Sequence, residues 1–598
     1  MIIPTKQLTA TALAGAFALG LAACGSNESI SAGSGIGVAK GIQTPRTESQ
    51  SGGKRGGTLT VLNQSDFEQL DPGLAYYNLD YEVVDATQRP LFSYKPNTFS
   101  ETTPDMASEP AQISDHDRTI TVHIRKGVHF SPPVNREVTS ADVAYAIERG
   151  ANGNVANPYF EAYFSSLVGA KQEIAGEKGG PFPGITTPDK DTIVFHLAEP
   201  KAAIVLAALV LPLSAPVPEE YAKRYDARKP TEYGNYQVAT GPYMLKNDSA
   251  GKVLGTGYVP GKSATLVRNP NWNPATDFRP AYLNQINIKL GGDPTVIGRQ
   301  VLEGSEMVQN EGPAQSIVKL AYEKFRSQLE ISPGAGDHYI AVNNKRGPFS
   351  NVNLRKAFWA ALDRTAMNKA RGGALVTNVM THFIYPEIPG FEQAGGLKGP
   401  QVDYNAYPQG NMAVAAKYMK LAGYPSGKYT GGKTLQVVGA NGSPATEDAE
   451  IVNQTLKDLG FKTNFNLVED SVMYSKYCGT PAEEIDVCPS VAWAADFGDP
   501  EAVLDVPFNG KNIISTGNNN WGQVNDPEIN KAMEAAELVV GVKARGEAWA
   551  QIDRKLVAQA VAIPFDWDKQ PNIESKDVAG VGDLWNTGQW DYSFTSLK

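Results

Sequence analysis

The chain has 598 residues, a formal net charge of −10 and a pI near 5.4. A single hydrophobic core does not grow to this length, so we expect two or three lobes. The acidic balance, without any stripe of Lys and Arg, argues against a nucleic-acid partner. The composition of 41% hydrophobic and 20% charged residues is typical of a globular protein, and after the N-terminus no apolar run indicates a membrane span.

The N-terminal segment has the pattern of a secretory signal. Lys6 precedes an apolar stretch from about Leu8 to Leu21, and the small residues before Cys24 predict a signal peptide over residues 1–23. Leu21-Ala22-Ala23-Cys24 resembles the bacterial lipobox, in which Cys24 would carry the lipid anchor. The alternative is an ordinary cleaved signal with an incidental cysteine. Residues 24–55, rich in Gly, Ser, Thr and Gln, are predicted to form a flexible tether.

The ordered chain is predicted to be α/β. Its first half is rich in segments that alternate apolar and polar residues like half-buried strands, at 58–62, 119–125, 193–197, 264–268 and 286–290. A capping-box pattern at Thr139 predicts a helix start. From about residue 335, strands and helices alternate, with a strand at Tyr339–Val342, a helix from Asn351 to about Arg364, and helices that end at Gly423 and Gly460.

The stretch Val491–Phe508 is the strongest candidate for a functional site. Small apolar residues typical of a buried strand end lead to Trp493 and Asp496, just before a Gly and an Asp-Pro break. Burying the Asp496 carboxylate costs several kcal/mol unless a cation meets it, and a ligand ammonium is such a cation. The alternative is that Asp496 caps the next turn and Trp493 packs in the core.

Other candidate residues carry weaker signals. Cys478 and Cys488 favour a disulfide over two free thiols in an exported protein. The six histidines lack metal-ligand spacing, so no metal site is predicted. Neither Gly-x-Ser-x-Gly nor His-Glu-x-x-His occurs, and no enzyme activity is expected. Tyrosines 76, 77 and 81 are predicted either to line the mouth of a cleft or to pack between lobes.

Several short motifs occur in an order that resembles the extracellular solute-binding proteins of family 5, the peptide- and nickel-type receptors of ATP-binding-cassette importers. Each motif is weak alone, but their ordered occurrence behind a lipobox is specific, and together they cover nearly the whole chain after Gly56. They are Ile124–Phe130 followed by Thr139–Val143, Thr240–Tyr243, Leu266–Pro270, Asn353–Ala357, Leu362–Arg364 and Trp493-x-x-Asp496-x-x-Asp499-Pro500.

The resemblance implies a two-lobed periplasmic-binding-protein-like fold with a hinge and an additional third subdomain. The expected boundaries are lobe I at 56–85, 233–325 and 561–598, subdomain II at 86–232, and lobe III at 326–560. A cleft between the lobes would enclose the ligand.

The resemblance also implies site residues. The Asp at the position matching Asp496 meets a peptide's N-terminal ammonium, with Trp493 and Phe497 beside it. The segment matching Asp66–Gln69, including Glu68 and Gln69, pairs its backbone with the ligand. The chain departs from the dipeptide receptors in Val438–Glu450, which lacks an Arg for the ligand's carboxylate, so a longer peptide or another solute is favoured.

The expected function is therefore a monomeric lipoprotein, anchored through Cys24 on the extracellular face of the bacterial cell membrane. It would capture oligopeptides and deliver them to the permease subunits of an importer, without a cofactor. The alternatives are a family receptor for chelated nickel or a cationic small molecule and, from another class, a secreted cell-wall hydrolase.

Overall fold

The computed structural model describes residues 53–96, 99, 101–579 and 590–598. The predicted signal peptide, Cys24 and most of the predicted tether lie outside these residues. The described chain is α/β, as the sequence predicts.

The strands fall into one large sheet and three small ones. They are β1 Thr58–Leu62, β2 Phe92–Ser93, β3 Thr103–Pro104, β4 Gln112–Ser114, β5 Thr119–His123, β6 Ile185–Asp189, β7 Thr192–His196, β8 Tyr243–Leu245, β9 Tyr258–Val259, β10 Ser263–Arg268, β11 Gln285–Lys289, β12 Val308–Gln309, β13 Leu329–Val342, β14 Thr377–Val379, β15 Thr434–Ala440, β16 Lys462–Val468, β17 Val487–Ala494, β18 Ala562–Glu574, β19 Val578–Ala579 and β20 Ser596–Leu597.

The helices surround these sheets. They are α1 Asn78–Thr87, α2 Ser140–Glu148, α3 Phe160–Phe164, α4 Ala170–Gly176, α5 Ala202–Ala208, α6 Glu219–Asp226, α7 Pro294–Glu303, α8 Gln315–Lys324, α9 Val352–Ala361, α10 Arg364–Ala370, α11 Phe391–Ala394, α12 Met412–Leu421, α13 Ala445–Asp458, α14 Asp470–Val472, α15 Pro500–Phe508, α16 Pro527–Glu537 and α17 Val542–Ala558.

The large sheet has the order β16-β15-β17-β13-β18-β12-β1-β11-β10-β8, with β14 on β18 and β9 on β10. Its two longest strands, β13 and β18, pair with each other and join the two halves of the sheet. Near its C-terminal end β18 also pairs with β12, while β13 pairs with β17 on its other side. These two strands therefore connect the half built on β1, β8, β10 and β11 to the half built on β15, β16 and β17.

A separate four-stranded sheet, β4-β5-β7-β6, belongs to a third packing unit. Its core is a cluster of buried residues between Leu91 and Val238, closed by Phe497 and Ala502 from the far end of the sequence. This third unit therefore packs directly against the loop that follows β17. The fold is two-lobed with a third subdomain, in agreement with the expected class.

The local sequence explains most helix starts. Thr139 and Asp142 form the predicted capping box at α2, in which each side chain bonds the other's backbone amide. The helix predicted from Asn351 to about Arg364 is confirmed as α9, which Asn351 caps, but it ends at Ala361 and a second helix, α10, begins at Arg364. The Asp363 carboxylate accepts a hydrogen bond from the amide of Ala366, which starts the second helix.

The strand predicted at Tyr339–Val342 is only the C-terminal part of β13, which begins at Leu329. Pro and Gly residues at 333–336 hide the rest of the strand from a pattern search, because they are depleted in strands. The pairing with β18 shifts register between Pro333 and Asp337, which is where these residues lie.

Cys478 and Cys488 are bonded to each other in the structure, next to the start of β17. Both are buried. Since the bond restricts the unfolded chain through a small loop, we expect the double variant Cys478→Ala/Cys488→Ala to lose about 2–3 kcal/mol of unfolding free energy. Thermal denaturation measures this loss. Dithiothreitol should lower the melting temperature of the parent protein to that of the variant and leave the variant unchanged. A parent protein whose melting temperature does not change on reduction would contradict the prediction.

Candidate ligand-binding site

The loop between β17 and α15 carries Asp496 and is fixed at its far end. Asp499 caps α15 by accepting a hydrogen bond from the amide of Glu501 at 2.9 Å. Its two carboxylate oxygens each accept a hydrogen bond from the Arg545 guanidinium at 2.8 Å. This charge-assisted bidentate pair holds the loop against α17. The helix cap predicted as an alternative role for Asp496 is thus performed by Asp499.

The loop is also fixed by Phe497. Its side chain is fully buried in the core of the third unit, with its ring 4.9 Å from that of Tyr163 on α3. The amide of the next residue, Gly498, donates to the Tyr94 hydroxyl at 3.0 Å. The expectation that Phe497 contacts the ligand does not match this placement, because the ring is inaccessible. Phe497 instead positions Asp496 at the junction of lobe III and the third unit.

Asp496 is partly buried and accepts a hydrogen bond from the Tyr163 hydroxyl. No Lys, Arg or His among the described residues forms an ion pair with its carboxylate. Burial raises the pKa of Asp496 to about 6, against the smaller opposing effect of the Tyr163 hydrogen bond. The carboxylate is therefore a desolvated group that a cation would stabilise.

Tyrosine side chains from two segments, one at α1 and one at α3, lie around this carboxylate. The Tyr76 ring lies 5.3 Å from the Tyr159 ring, which in turn stacks on Tyr163 at 6.2 Å. The Tyr81 and Tyr159 hydroxyls are 2.9 Å apart. Burial, followed by the charges of Asp496 and Tyr77, raises the pKa of Tyr76 to about 12. Aromatic faces attract cations, so this aromatic cage and the carboxylate favour the same type of ligand group.

The three tyrosines near α1 have different roles. Tyr76 and Tyr77 keep 47% and 53% of their surface exposed, whereas Tyr81 is buried. Of the two predicted alternatives, lining the cleft mouth therefore fits Tyr76 and Tyr77, and packing between segments fits Tyr81.

Trp493 lies at the end of β17 and is partly buried. Its indole N–H donates to the carbonyl of Ala502 at 2.8 Å, and its own carbonyl accepts a hydrogen bond from the Tyr385 hydroxyl at 2.7 Å. Its ring lies 6.1 Å from Trp521. The first bond fixes the indole and the second fixes the backbone of Trp493. Together they hold the end of β17 just before Asp496.

Glu68 and Gln69 lie in an extended, exposed segment of lobe I. Their backbone amides donate to the same oxygen of Asp80, at 3.0 and 3.2 Å. Asp66 is bound by the Tyr258 hydroxyl and the amide of Gly261. The segment is therefore preformed. Asp80 already satisfies these two amides, so the carbonyls and side chains of Glu68 and Gln69 are the groups left for other hydrogen bonds.

Sequence reasoning missed Tyr159 and Tyr163, although they complete the cage. The Tyr163–Asp496 pair spans 333 positions, and no periodic pattern reports a contact of that kind. The signal available was the density of aromatic residues between Pro158 and Phe164, which is high for a loop and a short helix.

The fold is two-lobed and α/β. The carboxylate of Asp496, in the loop between β17 and α15, lies beside the tyrosines without an ion pair to any described residue. This combination is typical of a solute-binding receptor. The model of the "Bacterial extracellular solute-binding proteins, family 5 Middle" matches residues 101–515, and the chain belongs to this family. The resemblance seen in the sequence is thereby confirmed. The proteins of this family bind solutes and are not enzymes.

Curated relatives and solved structures support the same family assignment. The periplasmic oligopeptide-binding protein OppA of Salmonella typhimurium is 24% identical over 514 residues, covering 85% of this chain and 86% of that protein. Heme-binding protein A of Haemophilus influenzae is 24% identical over 476 residues, covering 76% and 77%. The structure of clavulanic acid biosynthesis oligopeptide binding protein 2 matches with a TM-score of 0.81 at 24% identity, covering 94% and 99%. Among the described helices, none is both long and apolar enough to cross a bilayer.

Proposed function

We propose that the chain is the substrate-binding lipoprotein of an ATP-binding-cassette importer and that its ligand is an oligopeptide with a free amino terminus. The observation that carries the proposal is the Asp496 carboxylate, desolvated, caged by tyrosines and without an ion pair among the described residues. A peptide ammonium supplies the missing charge, and a charge-assisted hydrogen bond of this kind contributes about 1.5–3 kcal/mol. Trp493, Glu68 and Gln69 complete the proposed contact surface.

Binding and closure are coupled in this proposal. Asp496 belongs to lobe III, while Tyr163 and Tyr76 belong to the third unit and lobe I. A ligand that touches all three segments has a higher affinity for the closed state than for the open one, and it shifts the population by that difference. Strands β13 and β18 connect the halves and are the place where such a motion bends the chain. No covalent chemistry is part of this cycle.

The relatives named as oligopeptide-binding proteins support the peptide assignment. The lipobox supports anchoring through Cys24 on the extracellular face of the membrane. There the receptor, proposed to be a monomer, passes its ligand to the permease subunits. The absence of an Arg in Val438–Glu450 favours peptides longer than two residues.

The test compares free and N-acetylated peptides of defined length by calorimetry and thermal shift, with a nickel chelate in a parallel arm. Free peptides should raise the melting temperature, and acetylation should weaken binding at least about tenfold, because it removes the ammonium that Asp496 needs. Equal binding of both forms would exclude the ammonium contact. A shift produced only by the chelate would overturn the peptide assignment, and turnover of a peptide would favour a hydrolase.

A further inference from the structure

A second group of charged side chains lies on the sheet beside the proposed ammonium site. We call it the acidic pocket. His338 on β13 faces Asp566 on β18, and its Nε2 atom is 3.4 Å from Asp568 Oδ2. The remaining members are Arg371 at the end of α10, Asp448 on α13 and Asp470 on α14, and the charge of His338 acts on the last two.

The acidic pocket has more carboxylates than cations. The Arg371 guanidinium is 2.9 Å from Asp448 Oδ2 and 3.7 Å from Asp566 Oδ2, so it divides its charge between two partners. Asp568 contacts the imidazole of His338 and forms no other ion pair among the described residues. Asp470 has no ion pair with any residue that the structure describes. Four carboxylates therefore share the Arg371 guanidinium, and the only other described Lys or Arg whose charge acts on one of them is Lys569, which acts on Asp566.

Several buried polar atoms in the acidic pocket have no hydrogen-bond partner within the described part of the chain. They are both carboxylate oxygens of Asp566, Oδ1 of Asp448 and Nδ1 of His338. The Asp566 and Asp448 side chains are fully buried. An unsatisfied buried acceptor costs free energy that is recovered when a donor or a cation arrives. The acidic pocket thus lacks a positively charged donor.

On the paired strands β13 and β18, Asp568 is the carboxylate of the acidic pocket that a ligand can reach, and Asp470 on α14 is also exposed. The Asp568 side chain keeps 36% of its surface accessible, although β18 is hydrogen-bonded on both sides, to β13 and β14. Burial acts to raise the pKa of Asp568, but His338 and Arg371 hold it below its usual value, so the group is charged and desolvated. A Cβ atom at Gly336 would lie 2.9 Å from the carboxylate, so the glycine leaves the position beside Asp568 unobstructed.

The acidic pocket is close to Asp496. Gly336 pairs with Ala494, two residues before Asp496. Two residues of extended chain and one strand spacing place the Cα atoms of Asp496 and Gly336 within about 12 Å. Burial, and then the charges of Asp337, Tyr339, Asp568 and Asp496, raise the pKa of Tyr385, which therefore lies near both carboxylates. An extended peptide advances about 3.3 Å per residue, so residues two to four reach this distance.

We propose that the acidic pocket binds a second positive charge of the ligand, the guanidinium or ammonium of a basic side chain at position two, three or four of the peptide. The inference rests on the proposed function and adds a preference to it. The cation contacts Asp568, and its field compensates Asp566 and Asp448 behind it. The preferred ligands are oligopeptides with an internal arginine or lysine.

The test uses tetrapeptides with a free amino terminus and alanine elsewhere, which carry arginine or its neutral isostere citrulline at position two, three or four. Calorimetry on the whole protein should show at least tenfold tighter binding of the arginine peptide at one position. Asp568→Asn should remove most of this difference and leave the affinity for the citrulline peptide within about twofold. Gly336→Ala, which crowds the same carboxylate from the opposite strand, should act in the same selective way.

The outcomes separate this inference from the proposed function. If citrulline peptides bind but arginine gives no gain at any position, the acidic pocket is not a cation site while the peptide receptor stands. If Asp568→Asn and Gly336→Ala weaken both peptides equally, the carboxylate has a structural role only and the inference is overturned. If no peptide binds, the proposed function fails and the inference fails with it.

Discussion

Replacing Asp496 with asparagine is expected to abolish the binding of peptides that the parent protein binds through their amino terminus. The variant keeps the acceptor for the Tyr163 hydroxyl but loses the negative charge. Truncating one partner of a buried charge pair costs 2–5 kcal/mol, so the affinity should fall by a factor of about 30 or more. Calorimetry measures the change, and the exposed Asp458→Asn variant on α13 is the matched control, which should bind like the parent.

The same substitution should stabilise the ligand-free protein. Because burial raises the pKa of Asp496 from 3.8 to about 6, its ionisation opposes folding at neutral pH. This penalty is present above pH 6 and absent below pH 3.8, where the carboxyl is neutral in both states. The upper limit is about 3 kcal/mol, and the partial exposure of the group reduces it. The melting temperature of Asp496→Asn should therefore exceed that of the parent at pH 7.5 and approach it near pH 4.

Peptide affinity has the corresponding pH dependence. Below pH 6 a peptide must displace a proton from Asp496 before its ammonium can pair, and the affinity of the parent protein should fall up to tenfold per pH unit. Two results would contradict the pairing of Asp496 with the peptide ammonium. One is an Asp496→Asn variant that binds free peptides like the parent, and the other is a parent protein whose affinity is constant between pH 7.5 and 5.

The second large effect is expected at Arg149, which joins the segment before α1 to the third unit. Its guanidinium donates two hydrogen bonds to Asp71, at 2.8 and 2.7 Å, and two to Asp226, at 2.8 and 2.6 Å. All three side chains are buried. Arg149→Met leaves two carboxylates buried without their cation, and we expect it to lose about 3–5 kcal/mol of unfolding free energy.

The loss should depend on pH. Burial acts to raise the pKa of Asp226, but the bonds and charge of Arg149 outweigh it and hold the pKa below 3.8. The stabilisation by the pair is therefore present at neutral pH and lost as the pH falls through the lowered pKa. Denaturant unfolding at pH 7 and pH 2.5 should show the larger difference at pH 7. The exposed pair between Lys223 and Glu219 is the control, since Lys223→Met should change stability very little. Equal stability of Arg149→Met and the parent would exclude the proposed structural role.

The sequence alone determined the class of the fold, and it predicted the candidate site in the stretch around Asp496. Alternation and capping patterns are local, so strand β1, helix α2 and the break after β17 follow from a few neighbouring residues. The position of Asp496 after a buried strand end marked it as a charge in need of a partner, because its burial cost depends mainly on its own chemistry.

Only the tertiary structure decided which residues surround that charge. Tyr163 and Asp496 are 333 positions apart, and the core position of Phe497 depends on a sheet that the sequence could not place relative to it. The acidic pocket likewise combines Arg371, Asp448 and Asp568 from separate helices and strands. Local patterns report which face of an element is apolar, whereas the pairing of polar groups across lobes depends on strand order and register, which long-range packing selects.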